Sequence, residues 1–334
     1  MYVPSTFAEA IICCLITMVC WGSWAKIENL AIEKWRFELF YWDHAIGILL
    51  ATIVLGFTWG SVGNVGRSFF DDLAQSKVDY FVLAFSSGIL FNFSNVLIVN
   101  AIASVGIQIA LPVTVVAGLV VGVLSNYITS PKGHPALVFA GVILIVYAIW
   151  LDAQAFKYVR PQRTRPSLSK LVLPVASGAL FGLFYCVLAM ATAHHYNPPE
   201  IGKLGPYGSV FSFAVGVFLS ALLFIPSLME EPISGQPLTI DDYLNASLRD
   251  HLVGVLSGSI WCFGLELSVL AAERMGFGVS FGISEGAMLI SALWSIYFWD
   301  EFRDAPKETN FLLISMVVAY VLGLLSFVLA SVFA

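Results

Sequence analysis

Three carboxylates stand inside long apolar runs of this chain. Asp43 lies in FELFYWDHAIGILLATIVLGFTWG (37–60), Glu266 in WCFGLELSVL (261–270) and Glu285 in FGISEGAMLI (281–290). Neither Glu266 nor Glu285 has a Lys or Arg three or four residues away. On insertion scales an Asp at a helix centre costs roughly 2.5–3.5 kcal/mol, and a carboxylate is too short to snorkel as lysine does. Such a group must face the bundle interior, carry a proton or pair across helices. The chemistry this predicts is proton exchange across a membrane, with Asp43, Glu266 and Glu285 as the candidate carriers. For Asp43 a second reading stays open, an interfacial residue near a helix N-terminus, where the dipole favours negative charge. His44 is adjacent and faces about 100° away, so it is a relay candidate or an interfacial histidine.

Polar and aromatic residues at similar depth suit a neutral polar ligand. Asn92 and Asn95 are three apart and share a helix face, next to Phe91. Trp21 and Trp24 flank Gly22-Ser23, and Tyr185 and Trp261 occupy the second half. Amides and aromatic walls together are the chemistry of a sugar or planar heterocycle site. The alternatives are ordinary packing and interhelical hydrogen bonds, worth about 0.6 kcal/mol each. No catalytic group, cofactor or metal site is predicted. Cys13, Cys14, Cys20, Cys186 and Cys262 lack metal spacing and read as small apolar residues. Gly278-Val279-Ser280-Phe281-Gly282 spells a serine-hydrolase elbow, but that elbow needs a strand before it, which a long apolar run denies.

The elements that must position these residues are membrane helices. The 334 residues are 59% hydrophobic and 11% charged, against about 25% charged in soluble domains; mean hydropathy is +0.86. Water could not solvate such a surface, and no basic stripe points to nucleic acid. A spanning helix needs about 20 apolar residues, and ten candidates follow: Phe7–Leu30, Phe37–Thr58, Tyr80–Ala101, Gly106–Tyr127, Pro135–Leu151, Leu171–Ala193, Tyr207–Leu228, His251–Ala272, Gly276–Trp299 and Phe311–Val332. The N-terminal stretch has no basic region before its apolar run, so it reads as a span and not a removable signal. A polar joint at Met229–Arg249 is expected to hold a short surface helix.

The basic joint Ala155–Lys170 divides the chain into a first unit (1–155), a cytoplasmic linker (156–170) and a second unit (171–334). The halves echo each other. Ser87-Gly88-Ile89-Leu90-Phe91 returns as Ser257-Gly258-Ser259-Ile260-Trp261, Val105-Gly106-Ile107 as Phe277-Gly278-Val279, and Trp21-Gly22-Ser23 as Phe181-Gly182-Leu183. Five spans per half is an odd number, so the second half enters the membrane upside down. The expected fold is an all-α polytopic membrane protein with ten transmembrane helices as a 5+5 inverted repeat, its site at the repeat interface. The odd-numbered loops hold 11 Lys and Arg against 5 in the even ones, 6 to 5 without the central joint. The odd loops are therefore expected in the cytoplasm and both termini outside.

Cys20-Trp21-Gly22-Ser23-Trp24, Trp42-Asp43-His44, Gly122 through Asn126-Tyr127, Asp300-Glu301-Phe302-Arg303 and Leu312-Leu313-Ile314-Ser315-Met316 occur in the order and spacing of the plant ureide permeases. Over nearly its whole length the chain resembles that family and, more widely, the drug/metabolite transporter superfamily with its glucose/ribose porter branch. The resemblance implies a ten-span secondary transporter, often proton-coupled. By position Asp43 matches the carboxylate of the family's Leu-Asp-Tyr, and Asn95 matches an asparagine of its third span. Glu285 stands where the plant proteins carry a glutamine; Leu111 and Leu265 replace a glutamate and an asparagine. The central loop is short, which resembles a bacterial member.

The function expected is an inner-membrane permease for a small neutral polar metabolite, a sugar or a ureide- or nucleobase-like compound. Its partners would be the substrate, the lipid bilayer and protons, with Na+ as the other coupling ion, and no nucleic acid. Export through the same fold, a polytopic membrane enzyme and a non-transporting sensor are the competing readings.

Overall fold

The computed structural model describes residues 1–27, 35–63, 65–159, 166–232 and 235–333. Ten of its helical segments are long and apolar enough to cross a membrane. They are α1 (Phe7–Ile27), α2 (Phe37–Phe57), α4 (Val78–Val105), α5 (Ile107–Thr129), α6 (Pro135–Val159), α7 (Val172–Ala191), α8 (Pro206–Glu230), α10 (Leu248–Met275), the pair α11 (Phe277–Ser284) and α12 (Ala287–Tyr297), and α13 (Glu308–Val332). Two short helices lie between spans, α3 (Phe69–Gln75) and α9 (Ile240–Leu244). The chain is thus an all-α, multi-pass membrane protein. Among the described residues only two isolated β-bridges occur, Thr192 with Leu204 and Tyr196 with Pro199.

Large apolar side chains face outward, as lipid allows: Ile143, Leu223 and Phe311 are each about 70% exposed. Small and polar residues turn inward and bring backbones together. α2 meets α10 where a Cβ on Gly47 would strike the carbonyl of Val255, and one on Gly258 would strike that of His44. α8 meets α4 in the same way, Gly216 against Phe85 and Gly88 against Phe213. Val255 and Gly258 follow Phe85 and Gly88 by 170 residues, as Gly276 follows Gly106. Those two glycines cap α4 and α10 at φ +82° and +85°, a conformation that a side chain would strain. The match of the third and eighth spans at Ser87-Gly88 keeps this register. The turn glycines do not: Gly106 corresponds to Gly276, and Gly278 lies one half-turn inside α11.

The ninth span runs as one, Phe277–Tyr297, with a local tightening at Glu285-Gly286, both right-handed helical, where Gly286 packs between Met18 of α1 and Leu324 of α13. Other expectations are corrected. The fifth span does not stop at Leu151; α6 continues to Val159, because the face carrying Asp152 is covered by neighbouring helices. α3 was not foreseen, whereas α9 falls in the joint expected to hold a helix. Leu30, Lys34 and the middle of the central basic joint (160–165, with Arg160, Arg163 and Arg165) lie outside the described residues, as does the side chain of Lys26.

Successive spans run in opposite directions, so the molecule has two faces. The terminal face carries Met1 and the end of α13. The far face carries the ends of α6 and α12.

Candidate functional site

The centre of the bundle is an aromatic plug. Trp21 on α1 stacks on Trp261 on α10, centroids 5.6 Å apart and planes 7° from parallel. Phe91 on α4 lies 4.4 Å from Trp261, and Phe213 on α8 lies 5.9 Å from it. Phe181 and Phe281 close edge-on against Trp21, at 6.5 and 6.3 Å. The plug forms because Gly22, Gly88 and Gly182 let helix backbones touch while the flanking rings fill the space between them. The Trp21 indole N–H donates to the Trp261 carbonyl at 3.1 Å, and Thr17 Oγ1 donates to the carbonyl of Gly264 at 2.8 Å, locking α1 to α10.

Of the expected ligand residues, the structure brings Trp21, Phe91 and Trp261 into this plug, with Tyr185 at its edge 4.8 Å from Phe281. The Tyr185 hydroxyl sits 2.8 Å from Ser268 Oγ, the start of a buried chain through Ser280 and Ser284. Asn92 is committed to its neighbours: its amide donates to the Val217 carbonyl at 3.2 Å and to Ser220 Oγ at 2.8 Å, while its own carbonyl oxygen has no partner among the described residues. Asn95 donates to the Phe91 carbonyl at 3.0 Å and lies beside the buried hydroxyl of Tyr41. Trp24 stands apart from the plug, against His44 at 5.1 Å. His44 Nδ1 is 3.2 Å from Ser257 Oγ.

Glu266 and Glu285 are both buried, and each has an Oε1 without a hydrogen-bond partner among the described residues. They stand ten and nine residues on either side of the Gly276 turn, so at 1.5 Å per residue both are about 14 Å deep. They look different ways. Glu266 lies within electrostatic reach of Tyr207 and Cys262, and Glu285 of Tyr320 on α13. Buried acceptors without a partner at mid-membrane are costly.

Asp43 is not near them. Tyr243 on α9 donates to its Oδ1 at 2.6 Å, and His251 Nδ1 stands 2.9 Å from its Oδ2. Glu266 follows His251 by 15 residues, about 22 Å along α10. Asp43 thus fastens a far-face latch, roofed by Trp35, which stacks on Tyr243 at 6.1 Å. Burial, then the hydrogen bond to Asp43 and its charge, push the Tyr243 phenol up from its ordinary value. Tyr243 and His251, two hundred residues from Asp43, carry no sequence signal linking them to it.

Sequence reasoning also missed a cavity of about 140 Å³ between α5, α6 and α12, lined in part by Gln108, Asp152, Ser291 and Glu301. Its one foreseeable sign was an Asp within a few residues of an apolar run, as at Asp43. Among the described residues no three His, Cys, Asp or Glu side chains converge as around a metal ion.

A family model for ureide permeases matches residues 40–164 and 159–331. The chain is similar to ureide permease 1 of Arabidopsis thaliana, 23% identical over 97% of each chain, and to ureide permease 2 of that plant, 22% identical over 96% of each. It is also similar to the probable ureide permease A3 of Vigna unguiculata, 19% identical over 90% of this chain and 97% of that one. Ten spans around a buried aromatic centre, matched by the family model along nearly the whole chain, lead to one assignment: the chain belongs to the ureide permease family.

Proposed function

We propose that the protein is a proton-coupled permease of the cell membrane for a small, neutral, planar polar compound of the ureide or nucleobase class. The observation that carries this reading is a pair of buried mid-membrane carboxylates, each with an oxygen that has no partner among the described residues, beside an aromatic plug. Glu285 is the favoured proton carrier. It sits next to Gly286, where the ninth span is pressed between α1 and α13, and a buried carboxylate in a span is a site by default. Protonated, it loses the penalty of a charge in the bilayer and lets the bundle rearrange; ionised, it holds the present state. Glu266 is the second carrier, and Asp43 serves the latch.

Trp21, Trp261 and Phe91 part to receive the substrate ring between them, and Asn95, with the Asn92 amide oxygen that has no partner among the described residues, supplies polar contacts. The two halves, an inverted repeat meeting at the plug, rock to expose it to one side at a time. The Lys and Arg excess of the odd loops supports a cytoplasmic far face. The matched glycine contacts of α2–α10 and α8–α4 favour this symmetry. Sugars remain the second substrate class, since indole faces also stack on pyranose rings.

The test is uptake of labelled allantoin, uracil, ribose and glucose into proteoliposomes, with and without an inward proton gradient. Gradient-dependent accumulation of allantoin or uracil, abolished in Glu285→Gln, is expected. Uptake that ignores both the gradient and the substitution would make the protein a facilitator and Glu285 structural.

A further inference from the structure

The cavity between α5, α6 and α12 has a use of its own. Asp152 lines it, is 7% exposed, and has an Oδ1 with no hydrogen-bond partner among the described residues. Glu301, in the turn after α12, lines the same cavity and bears electrostatically on Asp152. Two carboxylates thus face one cavity near the far end of α6 and the end of α12. At about 30 Å³ per water molecule the space admits several waters, so the pair can meet the far-face solution. Lys157, five residues on along α6, turns outward and donates to Gln154 Oε1 at 2.7 Å.

One residue links this cavity to the middle of the membrane. Tyr320 on α13 is buried and lies within electrostatic reach of both Asp152 and Glu285. Helical side chains lean toward the N-terminus of their own helix. α13 starts on the far face, so Tyr320 leans from the depth of Glu285 toward Asp152. α6 starts on the terminal face, so Asp152 leans inward toward Tyr320.

We propose that Asp152, with Glu301, is the far-face proton port of this transporter, and that Tyr320 relays the proton between Asp152 and Glu285. Each step breaks one O–H bond as the next forms; no electrons are exchanged and no co-reactant is needed. The proposal rests on the proton-coupled reading above and adds the route.

Two measurements on the full chain in liposomes test it. The first compares gradient-driven accumulation with equal-pH exchange, using labelled allantoin and uracil. Asp152→Asn should lose accumulation by at least about tenfold while keeping most exchange, Tyr320→Phe should lose less, and Asp152→Glu should recover part. Wild-type accumulation in Asp152→Asn, or equal loss of accumulation and exchange, would overturn the port. The second needs no substrate: the infrared difference spectrum between acid and alkaline pH should show a protonated-carboxyl band that Asp152→Asn removes. Should the wild type show no gradient-driven uptake, the symport reading fails, and this band alone decides whether Asp152 takes up a proton. If Asp152→Asn leaves every carboxyl band in place, the port is refuted.

Discussion

On the terminal face, loop ties to loop. Asp72 on α3 accepts the Gly205 N–H at 2.6 Å at the start of α8, and Arg67 adds its charge at 3.6 Å and a bond to the Glu200 carbonyl at 2.7 Å. Gln75 donates to the Lys203 carbonyl at 2.9 Å, Tyr196 N–H to Glu273 at 2.7 Å, and the amino group of Met1 to the Val65 carbonyl at 2.8 Å. On the far face, Asp43 is fastened to Tyr243 on the short helix α9 and to His251 at the start of α10, and a cavity lined by Asp152 and Glu301 enters between α5, α6 and α12. A clasped face opposite a face with a carboxylate-lined cavity is what a transporter looks like when it is accessible from one side.

Cysteine labelling should give the widest separation between the faces, because the five native cysteines are all buried and give little background. Ser291→Cys, in the far-face cavity, should react with a water-soluble maleimide about 100-fold faster than Ser209→Cys, which is fully buried near the clasp. Equal rates would remove the distinction. Breaking the clasp comes next. Asp72→Ala strips the Gly205 N–H and Arg67 of their shared acceptor and should lower thermal stability in detergent by about 2–4 kcal/mol. Unchanged melting would show that the clasp does not hold the face shut.

Acidity should tighten that same clasp. Burial holds the Asp72 carboxyl up at about 6, above its ordinary 3.8, with Gly205 N–H, Arg67 and Gln75 pulling it back. The folded protein therefore binds this proton more tightly than the unfolded chain. Its contribution is complete below pH 3.8 and is lost as pH rises through about 6, an effect of about 1–3 kcal/mol. Exchange of the Gly205 amide should quicken over that range beyond the intrinsic pH effect, and Asp72→Asn, which still offers an acceptor, should flatten the excess. The smallest effect is expected on the far face. Asp43→Asn should loosen α9 by about 1 kcal/mol, read as faster amide exchange at Tyr243 and Leu244. It should leave gradient-driven uptake within about threefold of wild type, since Asp43 lies far from the plug. Loss of gradient dependence in that variant would return Asp43 to the coupling path.

Much of the architecture was legible because each span is a long apolar run that only a membrane explains, and Gly88 and Gly258 of the Ser-Gly echo both fall at close helix seams, α4 with α8 and α10 with α2. Trp21, Phe91 and Trp261 could be read as a group because each flanks or follows a glycine at a seam. The tightening at Glu285-Gly286 left no sign in the sequence, since the run around it is apolar and α1 and α13 pack against it. Asp152 was lost by ending a span at its first charge, whereas the fold buries that charge. Asp43 shows the reverse: a carboxylate early in a span looks like a carrier until two partners, 200 and 208 residues away, come to meet it.

The most direct test of the central claim is electrical. A neutral substrate that moves with a proton moves charge. Adding allantoin or uracil to proteoliposomes on a solid support should drive a positive inward current in the wild type, with none in Glu285→Gln although equal-pH exchange persists. Substrate flux without current in the wild type, or a full current in Glu285→Gln, would contradict proton coupling through the mid-membrane carboxylate.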